Sequence, residues 1–105
     1  MTYELRTYTA TDGRMDDLLR RFREHTLALF ERHGMTSVGY WTNPADPDML
    51  VYLLRHDGSP RDNWAAFTAD PAWIRAKAAS VENGEIVVSI ESVMLEPTDF
   101  SALQN

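Results

Sequence analysis

The segment MLVYLLRH, residues 49–56, is a nearly continuous apolar run, and it constrains the fold more than any other part of the chain. A run of this length is typical of a strand that is covered on both of its faces. The chain has 105 residues, which is enough for one domain with a single core and too few for two. Because a domain of this size has few elements with which to cover both faces of a strand, its length favours pairing with a second copy.

Three further segments predict strands, and with residues 49–56 they set the fold class. They are residues 2–10, 35–42 and 85–96, with a turn-rich connection over 43–48. Pro97 ends the last strand, because proline cannot donate a backbone hydrogen bond to a sheet.

Two helical regions lie between these strands. The first is predicted over residues 14–33 by apolar side chains that recur at a spacing of three and four. Asp12 is its expected N-cap, and Gly34 is its expected left-handed cap at the other end. The second region starts with a Ser-Pro pair at residues 59–60 and starts again with an Asp-Pro pair at 70–71, so we expect it in two pieces.

The order strand, helix, strand, strand, helix, strand is the split βαβ arrangement of ferredoxin-like domains. It predicts an α+β fold in which a four-stranded antiparallel sheet carries helices on one side and leaves its other face uncovered. The last strand has large apolar side chains on both faces, for example Val93 on one and Ile90 on the other. An open sheet face of this composition is a larger apolar patch than a monomer usually exposes, so we expect a homodimer that packs sheet against sheet.

Composition and charge exclude several classes of function. The formal net charge of −6 argues against a nucleic-acid partner, because nothing in the sequence neutralises a run of phosphates. No cysteine is present, which excludes disulfides, thiolate metal sites and cysteine nucleophiles. The sequence shows neither a signal peptide nor a run of about 18 apolar residues that would span a membrane. We expect a cytoplasmic protein with no membrane partner.

The motifs of cofactor chemistry are also absent from the sequence. It has no glycine-rich phosphate loop, no dinucleotide fingerprint and no nucleophile elbow. No pair of histidines has the spacing of metal ligands, so we expect neither a metal nor an organic cofactor. A reaction catalysed by this chain would then depend on acid–base chemistry or on the reactivity of the substrate itself.

The first strand places three polar side chains on one face. In an extended segment Glu4, Arg6 and Tyr8 point to the same side. This strand is central in the predicted sheet, so Arg6 is expected to be buried and must be paired. One interpretation, favoured on general grounds, is a buried ion-pair and hydrogen-bond network that fixes the packing of the sheet. The other is a catalytic group, in which Arg6 anchors a carboxylate or enolate and its two neighbours transfer protons.

One of the three histidines, His25, is a candidate for proton transfer or iron ligation. His25 lies three residues after Phe22 and four before Leu29, which places it on or beside the apolar stripe of the first helix. It is a proton shuttle or a haem ligand in one interpretation, and a boundary residue with one nitrogen in water in the other. His33 is expected to stabilise the negative end of the helix, and His56 is expected to lie in a turn.

Several aromatic side chains and one amide are candidates to line a small-molecule pocket between helices and sheet. They are Tyr40, Trp41, Asn63, Trp64, Phe67 and Trp73. Apolar walls with a few convergent polar groups are what such a pocket requires. In the alternative interpretation the tryptophans are simply core residues.

Several motifs resemble those of the NIPSNAP family. They are YELRTYT at residues 3–9, LFERHG at 29–34, SVGYWT at 37–42 and DPAWI at 70–74. The resemblance extends from Tyr3 to about Met94, and the wider superfamily includes antibiotic-biosynthesis monooxygenases, haem-degrading monooxygenases and muconolactone isomerases. It implies a ferredoxin-like domain over residues 1–97 that forms a dimeric α+β barrel. A tail, residues 98–105, follows, and Phe100 is its one large apolar side chain that could dock.

The functional hypothesis is a small pocket between helices and sheet that binds an apolar, oxygenated molecule. If the protein is an enzyme, the expected reaction is cofactor-independent isomerisation, cyclisation or oxygenation of an enolisable substrate. Arg6 would hold the oxyanion, His25 or Glu4 would move the proton, and Tyr8 would orient the substrate. The competing hypothesis is a non-catalytic dimeric module that carries a ligand or serves as an interaction scaffold.

Overall fold

The computed structural model of the chain describes residues 1–104 and has the predicted α+β architecture. Along the chain lie β1 (Thr2–Ala10), α1 (Met15–Arg21), a π-helical segment (Phe22–Thr26), α2 (Leu27–Arg32), β2 (Met35–Asn43), β3 (Asp46–His56), α3 (Pro60–Ala69), α4 (Pro71–Ser80) and β4 (Val87–Leu95). The strands form one antiparallel sheet in the order β2-β3-β1-β4, which confirms the ferredoxin-like fold. None of the helices in residues 1–104 is long and apolar enough to cross a membrane.

The β2–β3 hairpin is tighter than the sequence pattern predicts. Segment 43–48, expected to be a turn, is mostly strand, because only Pro44 and Ala45 lie between the paired residues Asn43 and Asp46. The Asn43 side chain accepts a hydrogen bond from the Ala45 amide at 2.9 Å and so stabilises the turn.

The first helical region is continuous in the sequence pattern and interrupted in the structure. Its middle part is the π-helical segment, where the Thr26 hydroxyl donates to the Arg21 carbonyl at 3.3 Å. The expectation for its N-cap is wrong, because α1 begins only at Met15, no side chain caps it, and Asp12 is exposed. Gly34 has a φ of +77° after α2, which confirms the left-handed cap.

Both predicted start signals of the second helical region are confirmed. Ser59 caps α3 by accepting from the Asp62 amide at 3.2 Å, and Asp70 caps α4 by accepting from the Ala72 amide at 2.9 Å. The other Asp70 oxygen lies 2.7 Å from His33 Nε2. Asp70 thereby joins the end of α2 to the start of α4. This hydrogen bond is the main cause that lowers the Asp70 pKa to about 2.

The core lies between the helices and one face of the sheet. Its largest rings are those of Phe22, Phe30, Tyr52 and Phe67. In the part of the chain that is described, no helix packs on the opposite face, where Leu5 lies between Leu53 and Val93 of the flanking strands. Val93 is 54% exposed, so the predicted uncovered and apolar sheet face is present.

The C-terminal tail lies at one corner of this uncovered face. The Tyr3 hydroxyl donates to the backbone carbonyl of Gln104, and Leu103 lines a shallow groove together with Tyr3 and Leu53. Phe100, the residue expected to dock, is instead 85% exposed. The tail is therefore attached near its end and not through its phenylalanine.

Candidate functional site

The carboxylate of Glu4 lies at the centre of a buried network beneath the helices, and its residue is 1% exposed. One oxygen, Oε1, accepts hydrogen bonds from His56 Nε2 and from Trp64 Nε1, both at 2.7 Å. The other, Oε2, accepts from Arg6 Nη1 at 3.0 Å and from Ser92 Oγ at 2.5 Å. The polar face predicted for β1 thus points into the helix layer, and its acid is fully paired.

These four donors keep the Glu4 carboxylate ionised. Burial alone would raise its pKa, but the hydrogen bonds from His56, Ser92, Trp64 and Arg6 outweigh burial and lower the pKa from 4.5 to about 2. A carboxylate with so low a pKa is a weak base at neutral pH. Glu4 is therefore better suited to holding its partners in place than to accepting a proton.

His56 is not in a turn, as the sequence suggests, but is the fully buried last residue of β3. Strand alternation places it on the same face as the buried Tyr52. The Asn63 amide nitrogen lies 3.1 Å from His56 Nδ1 and 3.0 Å from the Asp57 carbonyl, so it is assigned as the donor to both. His56 Nδ1 is then an acceptor, and the ring proton lies on Nε2, which donates to Glu4.

Arg6 is held by protein groups on every side of its guanidinium. Its Nε donates to the Tyr52 hydroxyl at 2.7 Å, and its Nη2 donates to the Tyr8 hydroxyl at 3.1 Å. The guanidinium also lies 4.2 Å from the centre of the Trp64 ring, a cation–π contact. Burial opposes the charge, but Tyr52, Tyr8 and Glu4 raise the Arg6 pKa above its usual range. One N–H on each of its three nitrogens is thus committed to a protein acceptor.

The Tyr8 hydroxyl ends a chain of hydrogen bonds. Tyr52 accepts from Arg6 and donates onward to the Tyr8 oxygen at 3.1 Å, and that oxygen also accepts from Arg6. Burial raises the Tyr52 pKa well above its usual range, so the Tyr52 hydroxyl keeps its proton. Among residues 1–104 the Tyr8 hydroxyl itself donates to no acceptor. Tyr8 therefore has an unused donor, which the two hydrogen bonds to its oxygen polarise.

Tyr8 contributes to a groove that the helices leave open beside β4. The groove has a volume of about 310 Å³. It is lined by Tyr8, Arg21, Trp73, Lys77, Glu85 and residues 87–90. β4 is an edge strand, on which Val88 and Ile90 are 68% and 48% exposed. This opening lies between helices and sheet, where the sequence predicts a pocket.

The structure brings most of the candidate residues to the network or to the groove. The network contains Glu4, Arg6, Tyr8, Asn63 and Trp64. Trp73 lines the groove, and Phe67 lies behind it in the core with the two ring centres 4.7 Å apart. Tyr40 is stacked on Tyr52 with ring centres 5.2 Å apart, and burial raises its pKa.

Two candidate residues lie elsewhere. Trp41 is 53% exposed on the uncovered sheet face, where its ring lies across Gly39 and leaves no room for a side chain there. His25 is exposed rather than on the apolar stripe, and it lines a separate groove with Arg14 and Asp17. The predicted stripe is kept through the π-helical segment, because Phe22 and Thr26 are both buried. His25 therefore lies beside the stripe, on its solvent side.

Several residues of the network and groove are not predicted by the sequence pattern, among them His56, Ser92, Arg21 and Glu85. His56 could have been found from strand alternation, because it is four residues after the buried Tyr52. Ser92 lies opposite Arg6 in the β1–β4 register, which only the pairing of the strands reveals. Arg21 lies in the middle of the first predicted helix, beside Arg20, and nothing local to it predicts burial.

Fold and site together define a ferredoxin-like α+β domain of the class that forms dimeric barrels, with a polar network buried next to a groove on the helix side. The chain belongs to the NIPSNAP family, because the NIPSNAP family model matches residues 3–102. The resemblance seen in the motifs of β1, α2 and β2 is thereby confirmed. Among curated proteins, none matches the chain.

Solved structures share the fold. A NIPSNAP family protein of unknown function from Agrobacterium tumefaciens is 24% identical, with a TM-score of 0.81 over 99% of this chain and 94% of that one. An uncharacterised NIPSNAP domain protein from Burkholderia xenovorans is 24% identical, with a TM-score of 0.80 over 96% and 98%. A Chloroflexus aurantiacus protein, proposed to be an antibiotic biosynthesis monooxygenase, is 22% identical, with a TM-score of 0.64 over 93% and 96%. At these identities the likeness shows a shared fold and not a shared activity.

Proposed function

We propose that this protein is a homodimer that binds a small, apolar, oxygenated molecule in the groove beside β4. The observation that carries the proposal is Tyr8, a lining residue of the groove whose hydroxyl donates to no group among residues 1–104. The Tyr8 oxygen already accepts hydrogen bonds from Arg6 and Tyr52, so the hydroxyl is left with its proton to donate to a further group. A ligand carbonyl or hydroxyl oxygen is an acceptor of the right chemistry.

The walls of the groove have the composition of small-molecule sites. Val87 and Ile90 supply apolar surface from β4, and the Trp73 ring supplies apolar surface from α4. The Tyr8 hydroxyl is fixed before a ligand arrives, because Arg6 bonds to it and is itself anchored by Glu4. A donor fixed in advance loses little conformational entropy when it binds, which favours recognition of one ligand oxygen.

The second copy is proposed from the uncovered sheet face. Leu5, Leu53 and Val93 are adjacent on it, and Trp41 adds an exposed indole. Exposed apolar patches of this kind mark interfaces, and a second sheet is the surface of matching shape and composition. The cytoplasmic location and the lack of nucleic-acid and membrane partners stay predictions.

Cofactor-independent proton transfer on an enolisable ketone is the reaction that these groups favour. The Glu85 carboxylate in the groove lining would remove a proton from the carbon beside the carbonyl. Tyr8 would donate to the carbonyl oxygen as that oxygen gains negative charge. This is the role that the sequence suggests for Arg6. In a ketone with a carbon–carbon double bond next to the deprotonated carbon, the dienolate takes the proton back at the far end of that double bond, which completes an isomerisation without an oxidant or a cofactor. Arg6 and Glu4 would act as positioning residues.

Acetophenone tests the proposal, because it is an apolar ketone with an enolisable methyl group. We expect wild type to bind it with amide shifts at Tyr8, Val87 and Ile90 in an NMR titration. Tyr8→Phe should weaken binding about fivefold to tenfold, since one hydrogen bond contributes roughly 1 kcal/mol. Tyr40→Phe is the matched control, because that hydroxyl bonds to Ser37 at 2.7 Å and does not line the groove.

Deuterium exchange of the acetophenone methyl protons separates an enzyme from a carrier. Wild type should accelerate the exchange, and both Glu85→Gln and Tyr8→Phe should slow it. Binding without accelerated exchange would identify the non-catalytic ligand carrier. Absence of binding at the groove would refute the proposal.

A further inference from the structure

Arg21 is a buried cation that the Glu4 network does not use. It is the last residue of α1 and is 7% exposed. Its Nη1 donates to the Ser80 hydroxyl at 3.1 Å, and its guanidinium carbon lies 5.1 Å from the centre of the Trp73 ring. Its buried Nε has no hydrogen-bond partner among the residues that the structure describes. Within residues 1–104, no carboxylate lies at ion-pair distance from it.

A comparison with Arg6 shows what Arg21 lacks. Arg6 has a carboxylate oxygen at 3.0 Å and two tyrosine hydroxyls, whereas Arg21 has a single serine hydroxyl. Burial accordingly lowers the Arg21 pKa. Buried cations in folded proteins are normally paired with an anion, because an unpaired buried charge is costly. Arg21 therefore has no anion beside it to balance its charge among residues 1–104.

Arg21 and Tyr8 line the same groove. Lys77 adds a second positive charge and Glu85 one negative charge, so the lining carries two positive charges against one negative charge. This local excess is opposite in sign to the net charge of −6 of the whole chain. An anion that enters the groove meets a cation whose position Ser80 has already fixed.

We infer that the groove takes an apolar carboxylate, whose anionic end pairs with Arg21 while a second ligand oxygen accepts from Tyr8. The inference rests on the proposed function and names the class of its ligand, an apolar oxo or hydroxy acid. A planar guanidinium binds a carboxylate through two parallel hydrogen bonds, and among residues 1–104 the Arg21 guanidinium donates only through Nη1, to Ser80. The apolar side chains of β4 contact the hydrocarbon that joins the two ends.

Two matched probes test this inference: 3-benzoylpropionate, which is acetophenone extended by a carboxylate, and its neutral methyl ester. We expect wild type to bind the acid about tenfold or more tightly than the ester in an NMR titration. Arg21→Met should remove this preference, so that the variant binds the acid and the ester with equal affinity. Arg20→Met is the matched control, because Arg20 is adjacent, exposed and absent from the groove lining.

The outcomes distinguish this inference from the proposed function. Equal affinity of wild type for acid and ester would overturn the anion site and leave binding in the groove intact. Loss of the preference in both arginine variants would also overturn it, because overall charge would then explain the effect. If neither probe shifts the groove amides, the inference and the proposed function both fail. Arg21→Lys covers a failure of Arg21→Met to fold: it keeps the charge, loses the planar fork, and should weaken binding of the acid alone.

Discussion

Each of the four donors to Glu4 belongs to a different element. His56 comes from β3, Trp64 from α3, Ser92 from β4 and Arg6 from β1 itself. One carboxylate thus joins three strands to the helix layer. Hydrogen bonds to an ionised acceptor are stronger than neutral ones, so the network depends on the negative charge as well as on the shape of this side chain.

Glu4→Gln should destabilise the protein at pH 7 by about 3 kcal/mol, because it leaves the buried Arg6 without its anion. The folded-state pKa of Glu4 is about 2, below its ordinary value of 4.5. The stabilisation from ionised Glu4 is therefore complete above pH 4.5 and is lost as the pH falls toward 2. The difference in the free energy of unfolding between wild type and Glu4→Gln should shrink as the pH falls through this window. Urea denaturation at a series of pH values measures it.

Glu82→Gln is the control for that experiment, because Glu82 is exposed and makes no side-chain hydrogen bond or ion pair within the described residues. Asp70 also has a pKa of about 2, but it is present in both proteins and cancels in the difference. A gap between wild type and Glu4→Gln that stays constant from pH 5 to pH 2 would contradict the ionised network.

For individual residues, the sequence predicted the polar face of β1 but not the residues of other strands that bond to it. Strand alternation alone puts Glu4, Arg6 and Tyr8 on one side. The partners Ser92 and His56 are 88 and 52 residues away from Glu4, so only the register of the folded sheet brings them together.

Among the elements, α3 connects the helix layer to the network through two adjacent residues. Trp64 donates to Glu4, and Asn63 donates to His56 and lies 3.4 Å from the Gly34 carbonyl. Adjacent residues on a helix point in different directions, yet both reach the network because the C-terminal end of β3 lies beside the start of α3. The turn at Gly34 must therefore come close to α3, and its glycine is required by space as well as by its φ of +77°.

Gly34→Ala should destabilise the protein more than Gly13→Ala. Both glycines have nearly the same positive φ, +77° and +78°, so alanine costs each about 1 kcal/mol of backbone strain. A Cβ at Gly34 would lie 3.2 Å from Asn63 Oδ1, whereas nothing lies within 4 Å of one at Gly13. Urea denaturation of both variants measures the extra loss at Gly34. Equal losses would show that Asn63 gives way without cost.

In the whole molecule, as described for residues 1–104, the helices cover one face of the sheet and leave the opposite face exposed. The sheet has four strands, and its apolar residues on the open face come from β1, β2, β3 and β4 alike. A face that spans the entire sheet is large enough for an interface of ordinary size between two copies.

Val93→Glu should break the proposed homodimer and leave the fold of the chain intact. Val93 is 54% exposed on the open face, so a carboxylate there is tolerated in water and is costly between two apolar sheets. Ile74→Glu is the matched control, because Ile74 is also 54% exposed but lies on α4. Light scattering should show a dimer for wild type and for Ile74→Glu, and for Val93→Glu a self-association weakened by about a hundredfold or more. Dimers in all three would place the interface elsewhere.

Local sequence patterns were enough to predict the element order, the ferredoxin-like fold, the caps at Ser59 and Asp70, and the polar face of β1. These follow from patterns within about a dozen neighbouring residues, where periodicity and capping chemistry act directly. The folded structure was needed to show that His56 is buried, that His25 is exposed, and that Arg21 lies in a groove with no carboxylate at ion-pair distance among residues 1–104. Burial and pairing depend on contacts with residues that are distant in the chain, and no local pattern contains those contacts.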